Sequence, residues 1–386
     1  MPSAPVNGTE LYYLQDGQGE DVVLVHGLAS HHAFWYSGVM VPLRRRYRVT
    51  AYDLRGHGKS AMPTEGYTHV AMADDLAALL DHLGIARCHL IGHSYGGLVA
   101  LTFALGDPQR LLSLTLADVP VDTGAASGGR ADHPEKSYPE LDLLEKLARM
   151  PVREHSGHAP FSPFGGGRVS SKTAKLWLRL LETTHARSDF RSRSISLAEL
   201  QNFQVPTLLT YGFDSGWKRS GEILRSHLPD TSLVYIRNSG HAHPWEKPGF
   251  FLRSWQDFID AAARRPTPDR RGHLRNHVCL LLEMHPDEGT ACGVETVNVS
   301  MTGLLLNSPV ACAVGTPVRL FERSNGHPLT VEGRVVRQEN CDNLFQLAID
   351  FEQDGEGGPL FLGFVQEIIN ALAPGEGGDR SGGSHA

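Results

Sequence analysis

The stretch Ile91-Gly92-His93-Ser94-Tyr95-Gly96-Gly97 decides how the rest of the chain is read. The apolar run at 88–91 ahead of it has the pattern of a buried strand, and residues 97–105 behind it have that of a helix. Ser94 is thereby placed on a strand-to-helix corner. Gly92 and Gly96 complete the pattern G-x-S-x-G, in which the serine holds a strained backbone, at a cost of roughly 1–3 kcal/mol, while neighbours without side chains let strand and helix approach. The corner lifts the hydroxyl into the open at a helix N-terminus, where backbone N–H groups can meet a developing negative charge. G-x-S-x-G alone arises by chance in many chains. The strand and helix around this one point to a nucleophile rather than a packing turn.

Composition narrows the setting. At 386 residues the chain is long for one core, so two domains are expected. Lys and Arg number 36 against 43 Asp and Glu, a formal charge of −7, which argues against a nucleic acid polymer or an anionic membrane as partner. Residues 1–20 lack the basic start and apolar run of a secretory leader, and no segment approaches the roughly 20 apolar residues of a membrane span. Five cysteines, Cys88, Cys279, Cys292, Cys312 and Cys341, form no C-x-x-C pair and read as reduced thiols of a cytoplasmic protein.

Outward from the corner, strand and helix patterns alternate. Residues 21–25 form an apolar run ending in His26-Gly27-Leu28, whose Leu28 N–H is the candidate second oxyanion donor beside that of Tyr95. A strand at 47–52 leads into Asp53-Leu54-Arg55-Gly56-His57-Gly58-Lys59-Ser60, a Gly-rich loop whose charged residues are expected to be structural. Residues 74–83 have helical spacing and stop at Gly84. This alternation implies a mostly parallel sheet covered by helices, with the active site at the carboxyl ends of its strands.

His26-Gly27, Asp53-x-Arg55-Gly56-His57-Gly58-x-Ser60 and Gly92-x-Ser94-x-Gly96-Gly97, in this order and spacing, resemble the α/β-hydrolase fold superfamily over about residues 10–262. The resemblance implies a Ser, acid, His triad in chain order. Gly240-His241 followed by Glu246-x-Pro248 matches the family's histidine motif, which makes His241 the expected base. Two aspartates compete for the acid. Asp214 follows the strand at 206–211, where the family usually places it, although Ser215-Gly216-Trp217 departs from the usual continuation; Asp118, at the end of the strand at 111–117, is the alternative. The acid would fix the imidazole tautomer and stabilise the imidazolium. Residues 120–202 read as an insertion over the strand ends, a mobile helical lid forming an apolar acyl pocket. Its histidines lack metal-ligand spacing, so no metal and no catalytic cofactor is expected.

The hydrolase pattern closes at residue 263, and prolines with five arginines between 264 and 276 mark a linker. From 277 to 373 six short strand patterns precede one helix, which suggests a small antiparallel β-barrel, and 374–386 reads as a disordered tail. Arg271-x-x-x-Arg275 in the linker and Asn298-x-Ser300-x-x-Gly303 on a strand-turn-strand together resemble a PilZ domain and its cyclic di-GMP signature. That resemblance implies that Arg271 and Arg275 clamp phosphate and guanine, that Asn298 and Ser300 bind guanine, and that Gly303 permits the turn. Arg270 would favour an intercalated ligand dimer. The function so implied is a cyclic di-GMP-responsive serine hydrolase of carboxylic esters. Its alternative is a signalling adaptor whose hydrolase fold is silent.

Overall fold

The computed structural model describes residues 2–121, 139–149, 171–191, 195–236, 238–263, 277–278, 281–286, 290–299, 303–322, 329–341 and 344–350. They fall into two compact units that part between residues 272 and 279. Outside the described residues lie about half of the insertion, the arginine linker, the expected helix at 360–372 and the tail.

The first unit is built on a nine-stranded sheet of β1 (Ser3–Val6), β2 (Thr9–Asp16), β3 (Asp21–Val25), β4 (Arg48–Tyr52), β5 (Cys88–His93), β6 (Leu111–Ala117), β7 (Thr207–Gly212), β8 (Thr231–Ile236) and β9 (His277–Val278). Their order is β1-β2-β4-β3-β5-β6-β7-β8-β9, parallel from β4 to β9. β5 and β7 are buried along their whole length, as strands covered on both faces by helices must be. Nine of the twelve residues of the helix Tyr95–Gly106 are buried, so it runs through the middle of the unit and has no polar face to offer solvent. The opposite face of the sheet is closed by Trp35, Phe251, Trp255 and Phe258 packed on Val22, Ile91 and Val234.

Two features of this sheet go beyond the sequence pattern, and a third agrees with the structural role expected of the loop charges. β1 and β2 form an antiparallel hairpin at one edge. Its turn, Asn7-Gly8, has φ of 44° and 70°, the backbone that Asn-Gly supplies at low strain, and this dipeptide was the available signal. Residues 277 and 278, assigned from sequence to the second domain, instead pair with Val234 and Tyr235 of β8 as the ninth strand. The Gly-rich loop after β4 is held by buried charges: Asp53 accepts the His32 and Lys59 N–H groups at 2.6 and 2.8 Å, and Arg55 pairs with Asp75.

The second unit contains a closed antiparallel barrel of six strands, β10 (Leu281–Pro286), β11 (Cys292–Val299), β12 (Gly303–Ser308), β13 (Pro317–Glu322), β14 (Leu329–Cys341) and β15 (Leu344–Asp350), in the order β10-β11-β12-β15-β14-β13. Closure removes the exposed edges that an open sheet of this size would present. Among the described residues no helix is long and apolar enough to cross a membrane.

Two buried histidines tie the first unit's stability to pH. His26 donates from Nδ1 to the Gly27 carbonyl and accepts the Leu54 N–H at Nε2, a pairing open only to the neutral ring. Burial lowers His26 to about 3 and His57 to about 4, from an ordinary 6.5. Below that ordinary value the unfolded chain binds protons that the folded rings refuse. The unfolding free energy is therefore expected to fall as pH drops from 6.5 towards 4, by up to about 1.4 kcal/mol per pH unit for each ring. All five tryptophans lie in the first unit, so urea titrations followed by tryptophan fluorescence at stepped pH read it selectively; an unfolding midpoint unchanged between pH 7 and pH 5 would refute the linkage.

Candidate active site

The sheet's register brings the site together. His93, the last residue of β5, pairs with Ala117, the last residue of β6, so Ser94 and Asp118 occupy equivalent positions just past the ends of neighbouring strands. The Ser94 N–H donates to the Ala117 carbonyl at 2.9 Å, and the Asp118 N–H to that of Thr210 on β7 at 2.7 Å. Both residues have positive φ, 54° at Ser94 and 52° at Asp118, which a non-glycine residue adopts only where its surroundings enforce it. At the corner itself crowding enforces it. A Cβ on Gly92 would stand 2.5 Å from the Gly97 Cα, and one on Gly96 2.7 Å from the Val25 carbonyl oxygen.

His241 reaches the same place from the loop after β8. Its Nε2 lies 2.9 Å from Ser94 Oγ, and its Nδ1 lies 3.1 Å from Asp118 Oδ1. Asp118 and not Asp214 is therefore the carboxylate facing the imidazole. Asp214 is exposed, and its backbone N–H is spent on the Ser239 carbonyl at 3.0 Å, extending the pairing of β7 with β8 beyond their ends. The loop that carries Asp214 serves the site in another way. Ser215 Oγ donates to Asp118 Oδ1 at 2.5 Å, and the Gly212 N–H donates to Oδ2 at 2.9 Å. The unusual Ser215-Gly216-Trp217 sequence is thus a hydrogen-bond donor for an acid housed one strand away.

Asp118 is fully buried, which alone would raise its carboxyl, but the His241 hydrogen bond and the neighbouring imidazoles outweigh burial and hold it well below the usual carboxylate range. His243, also fully buried, stands 3.6 Å from Asp118 Oδ2, beyond hydrogen-bond reach, and its Nε2 meets Thr210 Oγ1 at 2.9 Å. A hydroxyl, an imidazole and a carboxylate connected in this order can move a proton from the hydroxyl to the ring while the carboxylate fixes which ring nitrogen is free.

The loop His26-Gly27-Leu28 lies against the corner. A Cβ on Gly27 would come within 2.9 Å of Ser94 Cβ, so only glycine admits the loop this close. Leu28 follows it, and Tyr95 opens the helix behind Ser94, with its side chain buried and its hydroxyl donating to the Tyr67 carbonyl at 3.0 Å. From the insertion, Trp177 stacks on Phe190 at 5.6 Å, and Phe190 meets Tyr95 edge-on at 5.2 Å. Arg187 pairs with Glu145 at 2.6 Å, joining the helix Pro139–Arg149 to Ala186–Asp189. Phe190, backed by Trp177, thus packs the insertion onto the residue that follows the serine.

Among the described residues, one group could bring three metal-ligand atoms together: His31, His32 and Asp53. His32 donates to Asp53 Oδ1 from both its backbone N–H and Nδ1, at 2.6 and 2.8 Å, while Lys59 N–H occupies Oδ2. Those bonds spend the carboxylate on the loop itself. In the second unit the backbone of Asn298 lies on β11 and Gly303 opens β12, whereas Arg270, Arg271, Arg275 and Ser300 lie outside the described residues.

The profile of the alpha/beta hydrolase fold matches residues 22–145, and that of the PilZ domain matches residues 269–357. A putative carbamate hydrolase RutD from Variovorax paradoxus is 32% identical over 262 residues, covering 62% of this chain and 92% of the relative. Among solved structures, an esterase from Rhodococcus sp. superposes with a TM-score of 0.51 at 25% identity, over 67% of this chain and 98% of its own. A hydrolase from Pseudomonas aeruginosa does so with a TM-score of 0.52 at 25% identity, over 67% and 97%.

The two aspartates give an opposed pair of variants. Asp118→Asn is expected to lower hydrolytic turnover about 10⁴-fold by leaving the imidazole in the wrong tautomer, and Asp214→Asn to leave it near the starting rate. Steady-state rates on an activated ester measure both, and the reverse ranking would return the acid to Asp214.

Proposed function

Since the chain belongs to the α/β-hydrolase fold family and carries a PilZ domain behind the hydrolase, we propose that it is a serine hydrolase of carboxylic esters whose rate responds to cyclic di-GMP. The observation that carries the first half is the Ser94 Oγ to His241 Nε2 separation of 2.9 Å, with Asp118 on the other ring nitrogen. In this reading Ser94 Oγ attacks the acyl carbonyl carbon as its proton passes to His241 Nε2. The N–H groups of Tyr95 and Leu28 receive the oxyanion. His241 then protonates the departing alkoxide, and the same ring draws a proton from the water that releases the acyl group from Ser94. A serine at the corner separates this chain from fold relatives that attack with aspartate.

The irregular sequence around Asp214 would suit the alternative of a silent platform. With Ser215 serving Asp118 instead, that sequence favours an equipped site. A second substrate reading does have an observation behind it. The relative from Variovorax paradoxus is named as a putative carbamate hydrolase, and a carbamate offers the same carbonyl beside a heteroatom leaving group.

For the second half, the PilZ match at 269–357 spans both nucleotide motifs, and Asn298 and Gly303 flank the β11–β12 turn. Arg271 and Arg275 supply planar guanidinium forks for the phosphates and for guanine N7 and O6, while Asn298 and Ser300 complete the guanine contacts. Arg270 adds a third fork suited to a stacked pair of ligands. Control of the hydrolase requires that the nucleotide bind two states of the chain with different affinity.

Ser94→Ala is expected to lower turnover about a million-fold and to abolish fluorophosphonate labelling. A panel of acyl esters beside matched carbamates should show faster turnover of the esters; the opposite preference would replace ester with carbamate in the proposal. Calorimetry should detect cyclic di-GMP on the full chain, with Arg271→Ala weakening it about ten- to hundredfold. Ester rates unmoved by saturating nucleotide would end the claim of control even where binding stands.

A further inference from the structure

His93 precedes the serine and stands outside the line from Asp118 to Ser94, yet its ring sits against His241, the middle member of that line. It is 3% exposed; Phe34 stacks on it at 4.6 Å with the rings 20° apart, and the His241 ring lies 4.8 Å away. Its Nε2 is 2.7 Å from the backbone carbonyl oxygen of His241. A carbonyl oxygen only accepts, so Nε2 carries the hydrogen, and the neutral ring leaves Nδ1 as a bare acceptor. Burial, and then the charge of the neighbouring His241, hold His93 well below the ordinary imidazole range, which keeps the ring neutral at working pH.

The consequence is geometric. Ser94 and His241 are 147 residues apart, and the imidazole arrives on a loop whose Asn238 has a φ of 51°. A single side-chain bond between serine and imidazole would stretch with every excursion of that loop. The second bond closes a ring: from Ser94 through the peptide to His93, across Nε2–H to the His241 carbonyl, through His241 to its own Nε2, and back to Ser94 Oγ. Loop and corner then move together.

We propose that His93 is a positioning residue for the serine hydrolase reaction read above, its Nε2–H gripping the peptide of His241 and so setting the distance between base and nucleophile. The inference rests on that reading. It goes beyond it by assigning a role to a residue that touches neither substrate nor the transferred proton.

The test uses the full chain and an activated ester. His93→Leu keeps an apolar group against Phe34 and removes the donor; His93→Gln returns an amide N–H close to where Nε2 stood. His93→Leu is expected to lower kcat about ten- to hundredfold with KM little changed, the scale on which an ångström of misplacement acts, and His93→Gln to recover most of the loss. Wild-type turnover in a folded His93→Leu, equal impairment of both variants, or a loss residing in KM would each overturn the assignment. A crystal structure of His93→Gln covers the case in which His93→Leu does not fold. An amide on the His241 carbonyl with Ser94 Oγ still about 2.9 Å from the imidazole supports the proposal, and an amide turned away at full turnover refutes it. Ser94→Ala assayed alongside separates the two levels: an active Ser94→Ala brings down the serine reading and this proposal together, whereas an inactive Ser94→Ala beside a fully active His93→Leu removes the positioning role alone.

Discussion

A carboxylate with no exposed surface has to be satisfied on every side, and at Asp118 that requirement organises the end of the sheet. Ser215 and Gly212 reach it from the end of β7, His241 from the loop after β8, and its own backbone bonds Thr210. The donors come from two separate segments of the chain, so the charge can be buried only when β6, β7 and β8 are aligned. The same alignment brings His241 to Ser94. Chemistry and folding therefore share one constraint, and the strained backbone at Asp118 and Ser94 is held in place by the bonds that the constraint demands.

How much of this could be read beforehand depends on where the information resides. Strands such as β3, β5 and β7 announce themselves because a strand covered on both faces carries a short, mainly apolar run, and the six barrel strands because Gly, Pro and Asn punctuate them. Ser94 and His241 were legible from local motifs whose geometry is fixed within a few residues. The acid was not. Any aspartate just past the carboxyl end of a neighbouring strand is a candidate, and both Asp118 and Asp214 meet that condition. What separates them is a serine hydroxyl 97 residues from Asp118 in sequence, a contact that no local pattern encodes. The Asn7-Gly8 hairpin and the two-residue β9 escaped for different reasons: the first carried its signal in one dipeptide amid polar sequence, and the second is too short to show a period.

His93 shows what a motif conceals. Within Gly-His-Ser the middle residue looks like a spacer, because the pattern is defined by the glycines and the nucleophile. Its ring instead joins the two segments whose separation matters most for a proton transfer. The histidine-rich surroundings of the site, with His93 and His243 buried on either side of His241, form a set of neutral rings whose hydrogen bonds orient groups without adding charge.

β9 has one more implication, for how the polypeptide can be divided. The first unit ends its helical run at residue 263, an inviting place to cut, but β9 comes later and is the only strand that covers the outer side of β8 among the described residues. A fragment stopped at 263 would leave the main-chain N–H and C=O groups of Val234 and Tyr235 facing water as a free rim, open to any other extended peptide. The catalytic half thus borrows two residues from beyond its apparent end, and a clean excision of that half is a self-association hazard rather than a minimal enzyme.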